Sequence, residues 1–190
     1  MLIHKLLSKN NGFTLVELMV AIAIVAILMM VALPNLNSFI VRMRVDNEIS
    51  ELNRLLLTAR NIAVNEGISV TVCPLTSNNC TANWQNELSA FTDANGNGVF
   101  EPLLNERIIK VKGAIKNNDK LQYGQSNVTY ASTGLMISTV STIPFRYCPI
   151  EDAARSRGIV ISSSGRIYST SDTDKDDKDE DRSGNEIICT

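Results

Sequence analysis

A single acidic residue, Glu17, lies inside a long apolar stretch near the start of the chain. Residues 13–33 carry no other charged side chain, and as an α-helix they extend about 32 Å, enough for a bilayer core of roughly 30 Å. A carboxylate in hydrocarbon costs several kcal/mol unless it finds a partner, and a buried ammonium stabilises it. The chemistry predicted for Glu17 is therefore ion pairing inside a membrane or a protein assembly.

The other side chains argue against catalysis. The chain has a single histidine, His4, which precedes the apolar stretch. If residues 1–12 are removed, Ser-His-Asp and Cys-His nucleophile sites and histidine metal ligands are excluded. The sequence also lacks the Gly-x-Ser-x-Gly, P-loop and Gly-x-Gly-x-x-Gly motifs. We expect no enzymatic activity, no cofactor and no metal site.

Four cysteines follow the apolar stretch: Cys73, Cys80, Cys148 and Cys189. An even number of cysteines there predicts disulfides in an oxidising compartment such as a periplasm. Three pairings exist, and we favour Cys73–Cys80 with Cys148–Cys189 because the first two bracket a short loop. The alternative is a four-cysteine zinc site, although neither spacing resembles Cys-x-x-Cys.

The residues before the apolar stretch admit two ordinary interpretations. Lys5 and Lys9 form a short basic leader, which favours a cytoplasmic N-terminus. A secretory signal peptide has an apolar region about half as long as this one and a small-x-small cleavage site, which is missing here. An uncleaved membrane anchor explains the length but gives no role to Glu17.

The segment Gly12-Phe-Thr-Leu-Val-Glu17 supports a third interpretation, because it resembles the processing site of type IV pilins and pseudopilins. The resemblance implies that a prepilin peptidase cuts between Gly12 and Phe13, which makes residues 1–12 a leader peptide, and that Phe13 is then N-methylated. It also implies that Glu17 is the subunit-assembly residue, pairing with the terminal ammonium of a neighbouring subunit. Pro34 falls where many pilins have a proline and a helix bend.

One long helix, predicted from Phe13 to about Glu66, positions these residues. Residues 13–34 are apolar on all sides and form its transmembrane or filament-core half. Residues 35–66 form an amphipathic half, with apolar side chains at helical spacing: Leu36, Phe39, Ile40, Met43, Ile49, Leu52, Leu55, Leu56, Ala59, Ile62 and Ala63. Gly67 ends the helix, as a glycine after the last turn commonly does.

Residues 67–190 form a predicted β-rich globular domain. Short runs typical of strands are separated by turn residues: 68–73, 88–92, 107–112, 128–131, 143–148, 158–162, 166–168 and 186–189. An N-terminal helix followed by antiparallel strands defines the α+β class. The net charge of −2 gives no indication of a nucleic-acid partner.

Three further segments resemble the GspH/FimT group of minor pilins and pseudopilins, which includes FimU-like proteins. They are residues 57–74 at the junction of helix and first strand, residues 84–109, and residues 162–166 with Gly165-Arg166. The resemblance implies a pilin-like fold, in which the long helix packs on an antiparallel β-sheet domain. It also implies a function in filament assembly, as a low-copy minor pilin that primes a type IV pilus at its tip.

Two alternatives stay open. A minor pseudopilin of a type II secretion system would use the same N-terminal helix. A DNA-binding minor pilin is the second alternative, and acidic residues after Gly165-Arg166 argue against it because they repel phosphate.

The same resemblance implies the partners and the location of the protein. The partners are prepilin peptidase, other minor and major pilins or pseudopilins, and an inner-membrane assembly platform. The location is the inner membrane, crossed once with the N-terminus in the cytoplasm and the globular domain in the periplasm, and then the pilus or pseudopilus.

Two polar segments invite a cation-binding interpretation. The segment Asp93-Ala-Asn-Gly-Asn-Gly98 begins like a calcium loop, but Leu104 stands where an EF-hand requires glutamate, so we predict a tight hairpin turn. Residues 169–182, called the acidic loop below, are predicted to be solvated and flexible, with weak divalent-ion binding as the alternative.

Overall fold

The computed structural model describes residues 12–116, 118–137 and 143–189, with the side chains of residues 31–35 outside the description. Residues 1–11 of the predicted leader, including His4, therefore lie outside the described residues. The chain divides into two compact units, Met1–Phe39 and Ile40–Thr190. We describe each unit separately.

A single helix, α1, extends from Leu15 to Glu66. It begins two residues later than the sequence predicts, because Thr14 supplies the N-terminal cap. It ends where predicted, and Gly67 follows with a φ of +68°, the left-handed conformation that glycine adopts without a steric penalty. Pro34 lies within α1, and the bend expected there stays a prediction.

In the first unit, every described side chain from residue 12 to residue 30 is exposed. The large apolar side chains of this segment are between 51% and 83% exposed. In the part of the chain that the structure describes, no helix combines the length and apolar character that a membrane crossing requires.

In the second unit, one stripe of α1 packs against the β-strands. Its buried side chains recur every three or four residues: Val41, Val45, Ile49, Leu52, Leu55, Leu56, Ala59 and Ala63. The predicted apolar face was wrong at its start, since Leu36, Phe39, Ile40 and Met43 are at least half exposed. At 3.6 residues per turn Ile40 and Met43, which belong to the second unit, fall on the side of α1 opposite the buried stripe, so α1 has two apolar faces at the start of this unit.

The strands of the described residues form two antiparallel sheets. Their bounds are β1 Val70–Thr76, β2 Asn79–Cys80, β3 Leu88–Thr92, β4 Ile108–Lys112, β5 Lys120–Gln122, β6 Val128–Tyr130, β7 Phe145–Cys148, β8 Arg157–Ile161 and β9 Ile167–Ser169. The first sheet has the order β2-β1-β3-β4, with β6 also paired to β1, and the second has the order β5-β7-β8-β9. Short 3₁₀ helices at Pro102–Leu104 and Ala153–Arg155 interrupt the connections.

A single core joins the buried stripe of α1 to both sheets. Its strand members include Val72 of the first sheet and Ile159 of the second. Trp84 is 1% exposed and lies edge-on to Phe145, with ring centroids 4.9 Å apart. The confirmed fold class is therefore α+β, with a long N-terminal helix packed on antiparallel sheets.

Several strands begin or end at other residues than the sequence predicted. Residues 88–92 were predicted with the observed bounds, whereas β2 and β5 were missed. Residues 186–189 do not form a strand, and Glu186 makes only an isolated bridge with Glu180. The connection from β3 to β4 is longer than the tight hairpin turn predicted around Asn95-Gly96, because it includes a 3₁₀ helix.

Candidate functional site

Thr14 and Glu17 form a capping box at the start of α1. The Glu17 Oε2 atom accepts hydrogen bonds of 2.9 Å from both the backbone N–H and the hydroxyl of Thr14. In return, the Glu17 N–H donates to the Thr14 hydroxyl at 3.2 Å. Glu17 therefore stabilises the first turn of its own helix. The sequence predicted only an ion pair for Glu17 and did not include this capping role.

The predicted cleavage site lies immediately before this cap. Gly12 and Phe13 have no helical or strand assignment, and Phe13 is 83% exposed. A methyl group added to Gly12 would meet no heavy atom within 4 Å. The bond between these residues therefore lies in exposed backbone outside α1, and cleavage there stays a prediction.

From its start to residue 30, α1 has exposed apolar side chains on all sides. Phe13, Leu15, Val16 and Leu18 surround Glu17 and are at least 58% exposed. Exposed apolar surface on this scale is a hallmark of a membrane or protein interface. The arrangement places one carboxylate at the start of an otherwise apolar helical surface.

In the second unit, a buried carboxylate ties α1 to the second sheet. The Asp119 side chain is fully buried, and its Oδ2 atom lies 2.8 Å from Arg44 Nε of α1. The Tyr147 hydroxyl donates to the same oxygen at 2.7 Å, and the Ile150 N–H donates to Oδ1 at 2.9 Å. Burial, and then the bond to Asp119, raises the pKa of Tyr147 above its usual range.

Two further ion pairs hold the polar side of α1. Lys112 of β4 donates to Glu48, and both side chains are largely buried. Arg157 of β8 pairs with Asp46 of α1 and, at 3.1 Å, with Asp179 of the acidic loop. Glu48 and Asp46 of α1 therefore help to position the sheets, whereas Arg42 and Arg54 of the same half are exposed to solvent.

Arg60 joins two segments that the family resemblance singled out. Its Nε atom donates to the Gly134 carbonyl at 3.1 Å, and its Nη2 atom donates to the Ser164 carbonyl at 3.2 Å. Gly165 has a φ of +72°, and a methyl group there would collide with the Gly134 carbonyl. Arg60 and Gly165 are therefore packing residues, whereas the neighbouring Arg166 is exposed.

The structure contains two disulfides, Cys73–Cys80 and Cys148–Cys189. The first closes the β1–β2 hairpin, whose turn residues Ser77 and Asn78 have φ values of 48° and 67°. The second attaches residues 186–189 to the end of β7. These are the two pairs favoured from the sequence, and Cys189 Sγ also lies 3.1 Å from Ser156 Oγ.

The Asp93 carboxylate accepts hydrogen bonds from a side chain and from backbone N–H groups of the protein. Asp93 is fully buried, and Thr71 of β1 donates its hydroxyl to Oδ2 at 2.6 Å. The N–H groups of Asn97 and Gly98 donate to Oδ1 and Oδ2 at 3.1 Å and 3.0 Å. This aspartate therefore organises the loop between β3 and β4.

The capping box and the Asp119 cluster were not predicted. The capping box had a readable signal, because Thr-x-x-Glu before an apolar run is its usual pattern. No local sequence pattern indicated the role of Asp119, because it pairs with an arginine 75 positions earlier and with a tyrosine 28 positions later. Sequence-distant contacts of this kind depend on the packing of α1 over the second sheet.

A long N-terminal helix with an exposed apolar start, packed on antiparallel sheets, defines a pilin-like fold. A crystal structure of the type IV minor pilin FimU from Pseudomonas aeruginosa shares this fold, with a TM-score of 0.52 and 19% identity over 67% of this chain and 88% of that one. A second crystal form of FimU gives a TM-score of 0.48 and 19% identity over 64% of this chain and 89% of that one.

Matches to two sequence families show which family the chain belongs to. The family described as "Type II transport protein GspH" matches residues 48–165, which is more than half of the chain. The "Prokaryotic N-terminal methylation motif" matches residues 7–33. The chain belongs to the GspH family, within the minor pilins and pseudopilins of the type IV pilin superfamily.

Proposed function

We propose that this chain is a minor pilin of a type IV pilus, a low-copy subunit that promotes pilus assembly at the tip. The observation that carries the proposal is the exposed apolar helix of the first unit with Glu17 at its start. Such a surface has a use only when it is covered by lipid or by other helices. The methylation-motif match over residues 7–33 supports the same role.

Processing precedes assembly in this proposal. Prepilin peptidase cuts between Gly12 and Phe13, and the new N-terminus at Phe13 is methylated. The exposed, non-helical backbone at these two residues supports the choice of bond, because a peptidase binds extended chain. Residues 13–34 then serve as the membrane segment and later as part of the filament core.

In the assembled filament, Glu17 pairs with the terminal ammonium of a neighbouring subunit. Its capping hydrogen bonds are accepted by one carboxylate oxygen, Oε2. A carboxylate accepts through both oxygens, so capping and intersubunit pairing are compatible. The cap also fixes the direction of the side chain before a neighbour arrives.

The partners proposed are prepilin peptidase, other minor and major pilins, and an inner-membrane assembly platform. The protein crosses the inner membrane once, with its N-terminus in the cytoplasm and its globular domain in the periplasm. The two disulfides support an oxidising location for that domain. The role is one of assembly and not of catalysis.

A minor pseudopilin of a type II secretion system is the second candidate, and the match to the family described as "Type II transport protein GspH" supports it. DNA binding is not part of the proposal. The acidic loop follows Gly165-Arg166 closely, and Arg182 of that loop stacks over Tyr168 at 3.5 Å from the ring centroid. The acids of this loop would repel a phosphate backbone.

Gene deletion with complementation separates the two candidates. We expect the deletion strain to lose surface pili and pilus-dependent motility while retaining protein secretion, and the wild-type gene to restore both pilus phenotypes. Loss of secretion with normal piliation would show that the chain is a pseudopilin. Normal piliation and normal secretion together would refute both assembly roles.

A further inference from the structure

Four carboxylates of the acidic loop converge on one point. Asp172, Asp174, Asp176 and Glu180 each place one carboxylate oxygen within 4.8 Å of the others. The three aspartates are exposed, whereas Glu180 is 5% exposed. The sequence predicted a solvated, flexible loop, with weak divalent-ion binding as the alternative.

Glu180 provides an independent indication of a ligand. Its Oε2 atom accepts hydrogen bonds from the Thr173 N–H at 2.7 Å and from the Thr173 hydroxyl at 2.6 Å. Its Oε1 atom is buried and has no hydrogen-bond partner among the described residues. A buried carboxylate oxygen without a donor is costly, and a cation in the cluster would satisfy it.

The charges of the cluster are only partly balanced by neighbouring cations. Lys178 Nζ lies 3.3 Å from Asp176 Oδ2, but the same ammonium lies 3.1 Å from Glu186 Oε1. Arg155 pairs with Asp177, outside the cluster.

We propose that Asp172, Asp174, Asp176 and Glu180 bind a calcium ion. A site built from carboxylate oxygens selects a hard cation, and calcium accepts irregular oxygen ligands more readily than magnesium, which requires near-octahedral geometry and retains its water. Zinc and the later transition metals favour nitrogen and sulfur ligands, which these four residues do not offer.

The spacing of the ligands is compatible with this ion. Asp172, Asp174 and Asp176 alternate as the first, third and fifth residues of an EF-hand loop do, and Asp177 has a φ of 71° where such loops turn on glycine. Glu180 stands at the ninth position, and the twelfth position is Ser183 instead of the bidentate glutamate. The affinity expected is therefore that of extracellular modules, with a Kd of roughly 10⁻⁴ to 10⁻³ M.

Calcium would fasten the acidic loop to the sheet. Ser171 and Glu180 exchange backbone hydrogen bonds of 3.3 Å and 3.1 Å, which bring the two ends of the ligand segment together beside β9. Asp179 in the same segment contacts Arg157 of β8. An ion at the cluster therefore closes a loop that is already attached to the domain at both ends.

Isothermal calorimetry on the full chain, purified in non-ionic detergent and freed of metal with EDTA, tests the site. We expect one calcium ion per chain, binding at least tenfold tighter than magnesium. We also expect the unfolding temperature, followed by Trp84 fluorescence, to rise by several degrees in 5 mM calcium. Asp174→Asn and Glu180→Gln should each weaken calcium binding at least tenfold.

Asp177→Asn is the matched control, because it removes one negative charge from the same loop at a residue outside the cluster. Asparagine also tolerates the left-handed backbone found there. This variant should bind calcium within twofold of the wild type. Asp174 is exposed, so Asp174→Asn keeps the test valid if Glu180→Gln destabilises the fold. Absence of calcium binding by the wild type, or equal weakening by Asp174→Asn and Asp177→Asn, would overturn the proposal.

Discussion

The carboxylate of Glu17 caps its own helix by accepting hydrogen bonds from the backbone N–H and the hydroxyl of Thr14. Glu17 therefore has two separable properties, its hydrogen-bonding oxygen and its charge. The capping contacts lie within one subunit, whereas the proposed ion pair needs the charge and a second subunit. Substitutions at these two residues can remove one property and retain the other.

Glu17→Gln should permit leader cleavage but reduce incorporation into filaments by about tenfold or more, because an unpaired buried ammonium costs several kcal/mol. Glutamine still caps, so the start of the helix is retained. Thr14→Ala keeps the charge, costs about 1 kcal/mol of capping energy, and should leave incorporation within a few fold. Quantitative immunoblots of sheared filaments measure both effects.

Glu17→Val removes both properties and should behave like Glu17→Gln. If Thr14→Ala reduces incorporation as strongly as Glu17→Gln does, then the cap and not the charge is the property that assembly requires. Normal incorporation of Glu17→Val would show that the acid is not an assembly residue.

The Asp119 cluster should dominate the stability of the second unit. Asp119→Ala leaves Arg44 and the Tyr147 hydroxyl without their buried partner, and we expect the free energy of unfolding to fall by about 3–5 kcal/mol. Glu151 pairs with the same arginine at 2.9 Å, but its side chain is 58% exposed. Glu151→Ala should therefore cost less than about 1 kcal/mol.

Denaturant unfolding of the detergent-solubilised chain, followed by Trp84 fluorescence, measures both Asp119→Ala and Glu151→Ala. The two variants remove one carboxylate each from the same arginine, so Glu151→Ala is the control for lost charge. Equal losses of stability in the two variants would contradict a buried, structural role for Asp119.

Stability should fall steeply in alkali because two tyrosines are buried. Tyr130 is fully buried and Tyr147 is 1% exposed, and burial raises the pKa of each above its usual range. Above about pH 10 the unfolded chain loses these protons while the folded chain keeps them. The free energy of unfolding should then decrease by about 1.4 kcal/mol per pH unit for each tyrosine.

Tyr130→Phe is the variant that checks this slope. The Tyr130 hydroxyl has no hydrogen-bond partner within the described residues, so its removal leaves no donor or acceptor unsatisfied. Unfolding curves between pH 8 and pH 11 should diverge only above about pH 10, where the decline in the variant becomes shallower by an amount that approaches about 1.4 kcal/mol per pH unit. An unchanged slope would mean that Tyr130 ionises equally in both states.

The two disulfides should differ in their contributions. Cys148–Cys189 spans 41 positions and Cys73–Cys80 spans 7, so the chain-entropy estimate is about 4 kcal/mol for the first and about 2 kcal/mol for the second. Replacing each pair by serines and measuring the free energy of unfolding tests the order. Non-reducing peptide mapping checks the pairing, and a Cys73–Cys148 linkage would be incompatible with it.

Local signals in the sequence predicted the elements that local chemistry determines. The end of α1 at Glu66 follows from Gly67, and β3 follows from a run of strand-forming residues between polar turns. The match to the N-terminal methylation motif over residues 7–33 agrees with the motif recognised in the sequence, whereas cleavage after Gly12 and the assembly role of Glu17 stay predictions. The Thr-x-x-Glu pattern of Thr14 and Glu17 could have predicted the capping box. Glu17 was instead interpreted only through the free-energy cost of placing its carboxylate in a membrane.

Features that depend on tertiary packing were missed. Lys120–Gln122 has one apolar residue and becomes β5 because β7 pairs with it. Periodicity could not predict which of the two apolar faces of α1 near residue 40 is buried, because Val41 and Met43 are both apolar. Val41 is buried because its face packs against the sheets, whereas Met43 is exposed. The convergence of four acids in the acidic loop likewise depends on backbone turns at Lys175 and Asp177.

Mass spectrometry of the chain recovered from sheared filaments tests the central claim most directly. We predict an N-terminal peptide that begins with N-methylated Phe13, and no filament-associated chain that retains residues 1–12. Gly12→Ala is the control, because the added methyl group meets no atom of the described structure. This variant should keep its leader and remain in the membrane fraction. A filament-associated chain beginning at Met1, or Gly12→Ala processed like the wild type, would contradict the claim.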